Sequence, residues 1–142
     1  MGIDVMATRS AIGIQYTDGT ITAVYCHWDG YPDHNGLLLQ TYYNDAYLVE
    51  DLVSYGDISS LGRSVGEKHD FDKRGNGDET TFYGRDRGDK DVDCQYFKNV
   101  DEMVDHYVGC DYFYLFKDGT WFCANNDEGE WKSLKEILTE IA

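Results

Sequence analysis

The chain has 142 residues and a formal net charge of −15, with 27 Asp and Glu against 12 Lys and Arg. That length suits a single domain, and a hydrophobic fraction of 42% is enough to build one core. The charge works against an autonomous nucleic-acid binder, whose phosphates would meet a repulsive field, and against an anionic membrane surface. No stretch is apolar for the length of a membrane span, and no basic region followed by an apolar run opens the chain, so neither a span nor a secretory signal is expected.

In chain order, the first signal is Asp18-Gly19 between two runs rich in β-branched and aromatic residues. Asp-Gly favours a type I′ turn, because both residues tolerate positive φ better than most, and predicts a hairpin with strands near 9–16 and 20–28. Asp29-Gly-Tyr-Pro32 then re-aims the chain. Two short helices follow, one started by Asp33 or Asn35 and running through Tyr42. The other is capped by Asn44, with Leu48, Leu52 and Val53 inward and Gly56 as its stop. From Gly56 to about Gln95 the apolar period dissolves into glycines and charges, predicting one long loop over 63–95 with a short strand at 80–83.

Asn99 with Glu102 resembles a capping box opening a helix, with Val100, Met103, Val104, Tyr107 and Val108 on one face and Gly109 as its end. A second hairpin, Tyr112–Cys123, turns at Asp118-Gly119, and Ser133 with Glu136 signals a final helix carrying Leu134, Ile137, Leu138 and Ile141. The expected fold is α+β: two hairpins in one antiparallel sheet, helices packed on one face, and a long charged central loop, all in a single domain over 1–142 with residues 1–7 flexible.

Charge divides unevenly. Residues 1–60 and 101–142 each carry a net −7, whereas residues 61–100 hold nine acids, eight bases and two-thirds of all the cations. Two arrangements account for this. The basic loop folds onto the acidic body and pairs with it, or Arg63, Lys68, Lys73, Arg74, Arg85 and Arg87 gather around an anionic ligand. The four cysteines, at 26, 94, 110 and 123, contain no close-spaced metal-binding pair and are expected as free, partly buried thiols.

Other constellations are weaker. Cys26-His27 cannot form a dyad on a strand, because adjacent side chains point to opposite faces. His27 instead has Asp29, His34 or a distant acid within reach of the strand's end. Asp70, Asp72 and Gly75 match three positions of a calcium loop, but Arg74 and Thr81 stand where oxygen ligands are required. Gly84-Arg-Asp-Arg-Gly88 lacks the Lys-Ser/Thr ending of a phosphate loop. No metal and no cofactor is expected. Twelve tyrosines, several beside acids (Tyr42, Tyr43, Tyr47, Tyr55, Tyr107, Tyr112 and Tyr114), have the composition favoured at interfaces.

Thr8-Arg-Ser, Ile12-Gly13, Tyr25-Cys-His-Trp-Asp-Gly-Tyr-Pro32, Gly56-Asp-Ile-Ser-Ser-Leu-Gly62, Glu67-Lys-His69 and Tyr83-Gly-Arg-Asp-Arg-Gly88 together resemble a family of small, functionally uncharacterised proteins of bacteriophages, prophages and other mobile elements. The likeness spans most of the chain, including the late aromatic hairpin. It implies an accessory phage product acting in the cytoplasm of an infected bacterium, and it makes Met1–Val5 look like an added or alternative start.

Three functions fit this reading. The first is an acidic binding inhibitor of a host defence or nucleic-acid-handling protein, of the kind anti-CRISPR proteins represent. It would meet a basic host surface through Glu50, Asp51, Asp101, Asp105, Tyr47 and Tyr107, without touching nucleic acid or membrane. The second is a sequesterer of an anionic, nucleotide-like ligand held by His27, Trp28, Asp29, Tyr31, Arg63, Arg74, Arg85 and Arg87. The third is a small hydrolase-like enzyme using His27 and Asp29.

Overall fold

A strand whose consecutive residues are all buried presents side chains to two covered faces, and its sheet must carry structure on both. β1 (Ser10–Gln15) is such a strand, buried from its first residue to its fifth. The computed structural model, which describes residues 7–73, 78–127 and 129–141, builds the fold around it.

β1 turns at Asp18-Gly19 into β2 (Ile21–Cys26), the expected antiparallel hairpin, with Ile12 opposite Val24. Asp118 and Gly119, at φ 50° and 76°, turn β6 (Tyr112–Lys117) into β7 (Thr120–Asn125) in the same way. The join between the hairpins differs from expectation: β1 and β6 run parallel, with Ile12 beside Tyr114. The chain between β2 and β6 is long enough to bring β6 back in the direction of β1, so nothing local forces the antiparallel alternative.

Three short strands, β3 (Ile58–Ser60), β4 (Thr81–Phe82) and β8 (Trp131–Ser133), complete the path β4-β3-β2-β1-β6-β7-β8. β2 shares its outer edge. β3 pairs in parallel at Cys26, while β5 (Gln95–Phe97) pairs antiparallel along Ile21–Ala23. The sheet is therefore mixed.

Helices cover both faces, not one. On the first face Ile12, Ile14, Val24, Cys26, Tyr114, Phe116, Trp121 and Cys123 pack with Leu39 of α1 (Leu37–Tyr42), Val49, Leu52 and Val53 of α2 (Ala46–Ser54) and Leu134 of α5 (Leu134–Ile141). On the second, Ala11, Ile21, Ala23, Phe113 and Leu115 pack with Met103 of α4 (Val100–His106) and with Tyr107 just beyond it.

Local signals hold with small shifts. α2 is capped by Asp45, whose carboxylate accepts from the Leu48 amide, rather than by Asn44, and this turns Val49 inward and leaves Leu48 exposed. Asn99 caps α4 by accepting from the Glu102 amide, while the Glu102 carboxylate accepts from Lys98 one residue before the cap. Val108 lies past the helix end and is exposed. A π-helical turn, Pro32–Gly36, precedes α1.

The segment expected as one long loop contains, among its described residues, a 3₁₀ turn at Phe71–Lys73, β4, α3 (Tyr83–Arg87) and a bridge between Ser64 and Glu79. The four cysteines are free; burial pushes the Cys26, Cys110 and Cys123 thiols up to about 12. Among the described residues no helix is long and apolar enough to cross a membrane.

Gly30 sits where β1 and the turn after β2 meet, and a Cβ there would stand 2.9 Å from both the Ser10 Cβ and the Thr8 carbonyl oxygen. Gly30→Ala should cost about 1–3 kcal/mol by overpacking against backbone. Gly109→Ala, with nothing within 4 Å of the added carbon, should stay within about 0.5 kcal/mol. Urea unfolding of the two variants beside the parent checks the contrast.

Candidate interaction surface

The Cys26–Pro32 block is an architectural joint. The His27 and Trp28 amides donate to Ile58 and Ser59 carbonyls at 3.0 Å, which extends β2 along β3. Asp29 takes φ 57°, and Gly30 is held on both sides: its amide donates to Thr8 and its carbonyl accepts the buried Tyr114 hydroxyl at 2.6 Å. Asn35, fully buried, donates to the Trp28 carbonyl and the Cys26 thiol. Its amide oxygen can only accept, so His34 Nδ1, 3.0 Å away, carries a proton.

His27 lies 2.7 Å from the Tyr25 hydroxyl, two residues back on the same face, while Cys26 joins the core of the other face. Asp29 meets His34 at 4.0 Å and accepts from the Tyr31 hydroxyl. Burial pushes the Tyr25 phenol up to about 12.

Three of the arginines expected around an anion, Arg63, Arg85 and Arg87, are engaged within their own segment. Arg85 commits all five N–H donors: two to the Asp86 carboxylate, and three to the carbonyls of Val65, Gly66 and Thr80. Its guanidinium carbon stands 4.6 Å from the centre of the Phe82 ring. Asp86, whose side chain is fully buried, also accepts from the Phe82 and His69 amides. Burial alone would raise its carboxyl, but Arg85 and those amides outweigh burial and hold it below its ordinary 3.8.

Arg87 makes a bidentate pair with Asp89 and lies over Phe71 and Tyr83. Arg63 pairs with Asp78 at the surface. The pairing partners are thus acids of the central segment itself, not of the acidic body. Arg74 and Gly75 lie outside the described residues, and Asp70 accepts from the Asp72 amide in the 3₁₀ turn. Among the described residues no three His, Cys, Asp or Glu side chains converge as a metal site.

The acidic helices do not form one surface. Glu50 and Asp51 are exposed on α2, over the first face; Asp101 and Asp105 are exposed on α4, over the second. Tyr47 is 87% exposed on α2, and the Tyr16 hydroxyl donates to Glu50. Tyr107 is a core residue: it is 7% exposed, its hydroxyl donates to the Ala23 carbonyl, and it is not available to a partner.

Two adjoining grooves lie at the end of the sheet where β1 and β6 begin, and they share Tyr31, Tyr112 and Asn125. One, of about 370 Å³, runs between the π-helical turn and α5 over β7 and β8; Pro32, Ile137 and Ile141 line it, with Asp33, Glu130 and Glu140 around them. The other, of about 450 Å³, opens toward Thr8 and is lined by Asp111, Asn126 and Asp127. Lys132 is the one cation among the described lining residues.

The acids surround the tyrosines closely enough to be felt. Burial first, then Cys123, and after it Asp111, Asp33 and Asp127, raise the Tyr112 phenol, and Asp29 chiefly raises that of Tyr31. Tyr31 and Tyr112 were legible as candidates in the sequence, but not the groove acids Asp111, Asp127, Glu130 and Glu140, which with Asp33 come from four separate chain segments.

No family model, curated protein or solved structure matches the chain.

Arg85→Ala would leave Asp86 buried without its cation, and should cost about 3–5 kcal/mol at pH 7. Asp86 in the parent contributes stability above pH 3.8 that is lost as pH falls through its lowered folded value. In the variant its carboxyl titrates higher, so the stability gap should narrow on acidification. Denaturant unfolding of both proteins from pH 7 to pH 3 measures this directly.

Proposed function

We propose that the protein is an acidic binding inhibitor, a phage or prophage accessory product that acts in the bacterial cytoplasm by covering a basic surface of a host defence or nucleic-acid-handling protein. One observation carries this reading: Asp33, Asp111, Asp127, Glu130 and Glu140 surround two tyrosines in two adjoining grooves, with Lys132 as the only opposing charge among their described residues. Tyrosine supplies apolar contact and hydrogen bonding with few rotatable bonds, and the acids supply complementarity to Lys or Arg. The net −15 adds long-range steering toward a basic partner.

The engagement of Arg63, Arg85 and Arg87 with Asp78, Asp86 and Asp89 favours this reading over an anion sequesterer. Tyr47 with Glu50 and Asp51 on α2, or Asp101 and Asp105 on α4, would contribute to steering from opposite sides of the sheet rather than to one contact.

Capture from lysate of the infected host, followed by binding of the purified candidate between about 0.05 and 0.5 M salt, tests the proposal. Affinity should fall steeply with salt. Asp111→Lys with Asp127→Lys should weaken binding at least about tenfold, equivalent to roughly 1.4 kcal/mol. Reversal of Glu50 and Asp51, or of Asp101 and Asp105, should mainly slow association. A nucleotide released from the purified protein by heat, or binding insensitive to the groove reversals, would overturn the proposal.

A further inference from the structure

The two grooves differ in kind. The one beside α5 is lined by Pro32, Ile137 and Ile141, and the one beside Thr8 by Asp111 and Asp127, with Tyr112 common to both. Each is of the size of a cleft for one large side chain or small ligand, in a class of roughly 300–1,000 Å³. A helix, about 10–12 Å across, is wide for such clefts, whereas an extended chain sends every second side chain to the same side at a spacing of about 7 Å. Neighbouring pockets of unlike chemistry therefore fit the alternate side chains of one extended segment.

Resting on the binding reading above, we infer that the docked element of the partner is an extended segment of the form apolar-x-basic, its apolar side chain on Ile137 and Ile141 and its Lys or Arg beside Tyr112 between Asp111 and Asp127. Charge complementarity selects the cation: the second groove has two carboxylates and no cation among its described lining residues. The Tyr112 ring offers a face on which a guanidinium can lie. Ile141, 53% exposed at the rim of the first groove, is the apolar surface the neighbouring side chain would cover.

The probe is the peptide acetyl-Gly-Leu-Gly-Arg-Gly-amide titrated into ¹⁵N-labelled full-length protein, with three controls: citrulline for Arg, Gly for Leu, and a peptide that separates Leu from Arg by four glycines. Saturable shifts are expected at the amides of Tyr112, Asn125 and Ile137, with at least a several-fold loss of affinity for each control. Asp127→Lys, an exposed substitution whose own spectrum reports its fold, should abolish the shifts, and Glu50→Lys should retain them.

Shifts confined to α2 or α4 would overturn the inference while leaving an acidic binding surface intact. Equal binding of all four peptides, one of them uncharged, would show that neither the cation nor its spacing is read and would overturn the inference. No shift at millimolar peptide also overturns it. In that case the host protein's own salt-dependent binding decides separately whether the inhibitor reading stands.

Discussion

The Arg85 guanidinium, buried against Phe82 with every donor committed, is the constraint that turns a charged, glycine-rich stretch into structure. It draws the carbonyls of residues 65, 66 and 80 to one point, while Asp86 gathers the amides of His69 and Phe82 to the same place. Neither ion would be tolerated there alone, so the pair and its backbone partners form together or not at all. Thr80, fixed within this knot, accepts the Gly62 amide, and the Tyr43 hydroxyl donates to the Gly62 carbonyl. The Tyr43 carbonyl in turn receives the Trp121 indole N–H. The chain of bonds thus runs from the central segment through α1's end to the far hairpin.

This arrangement sorts the charges by role. Arg63, Arg85 and Arg87 of the central segment are drawn into pairs with acids of that segment, while acids of the flanking regions such as Glu50, Asp51, Asp101 and Asp105 stay at the surface. An uneven charge distribution along a chain can mean a basic binding loop or a self-contained one. The difference lies in whether the acids needed to neutralise the arginines stand beside them in the sequence, as Asp78, Asp86 and Asp89 do.

Elements set by neighbouring residues were legible. The two Asp-Gly turns, the Asn99–Glu102 cap and the short strand near residue 81 depend on interactions a few positions apart. Partnerships across the chain were not. Whether β6 lies parallel or antiparallel to β1 depends on the path of the whole intervening chain, and no residue in either strand encodes it. The cover on both faces did have a signature in the unbroken burial-prone run Ala11–Ile14, which the hairpin pattern masked. The grooves were the least legible feature, because their tyrosines and acids come from four segments and each acid alone looks like ordinary surface charge. Tyr107 shows the reverse error: a tyrosine among acids whose ring and hydroxyl belong to the core.

The parallel pairing of β1 with β6 also has a consequence in time. β1 occupies the middle of the sheet, yet its partner on one side lies about a hundred residues later in the chain. At ribosomal rates of about 5–20 residues per second, the completed first hairpin waits on the order of 5–20 s with one edge open before β6 is made. During that interval Ala11, Ile12 and Ile14 sit beside an unpaired strand edge, the kind of surface that chaperones hold and that other nascent chains can extend. The last third of the chain, which carries α5 and most of the groove, therefore closes the sheet that the first residues began. A nascent chain cut short before β6 would retain that open edge and lack the groove.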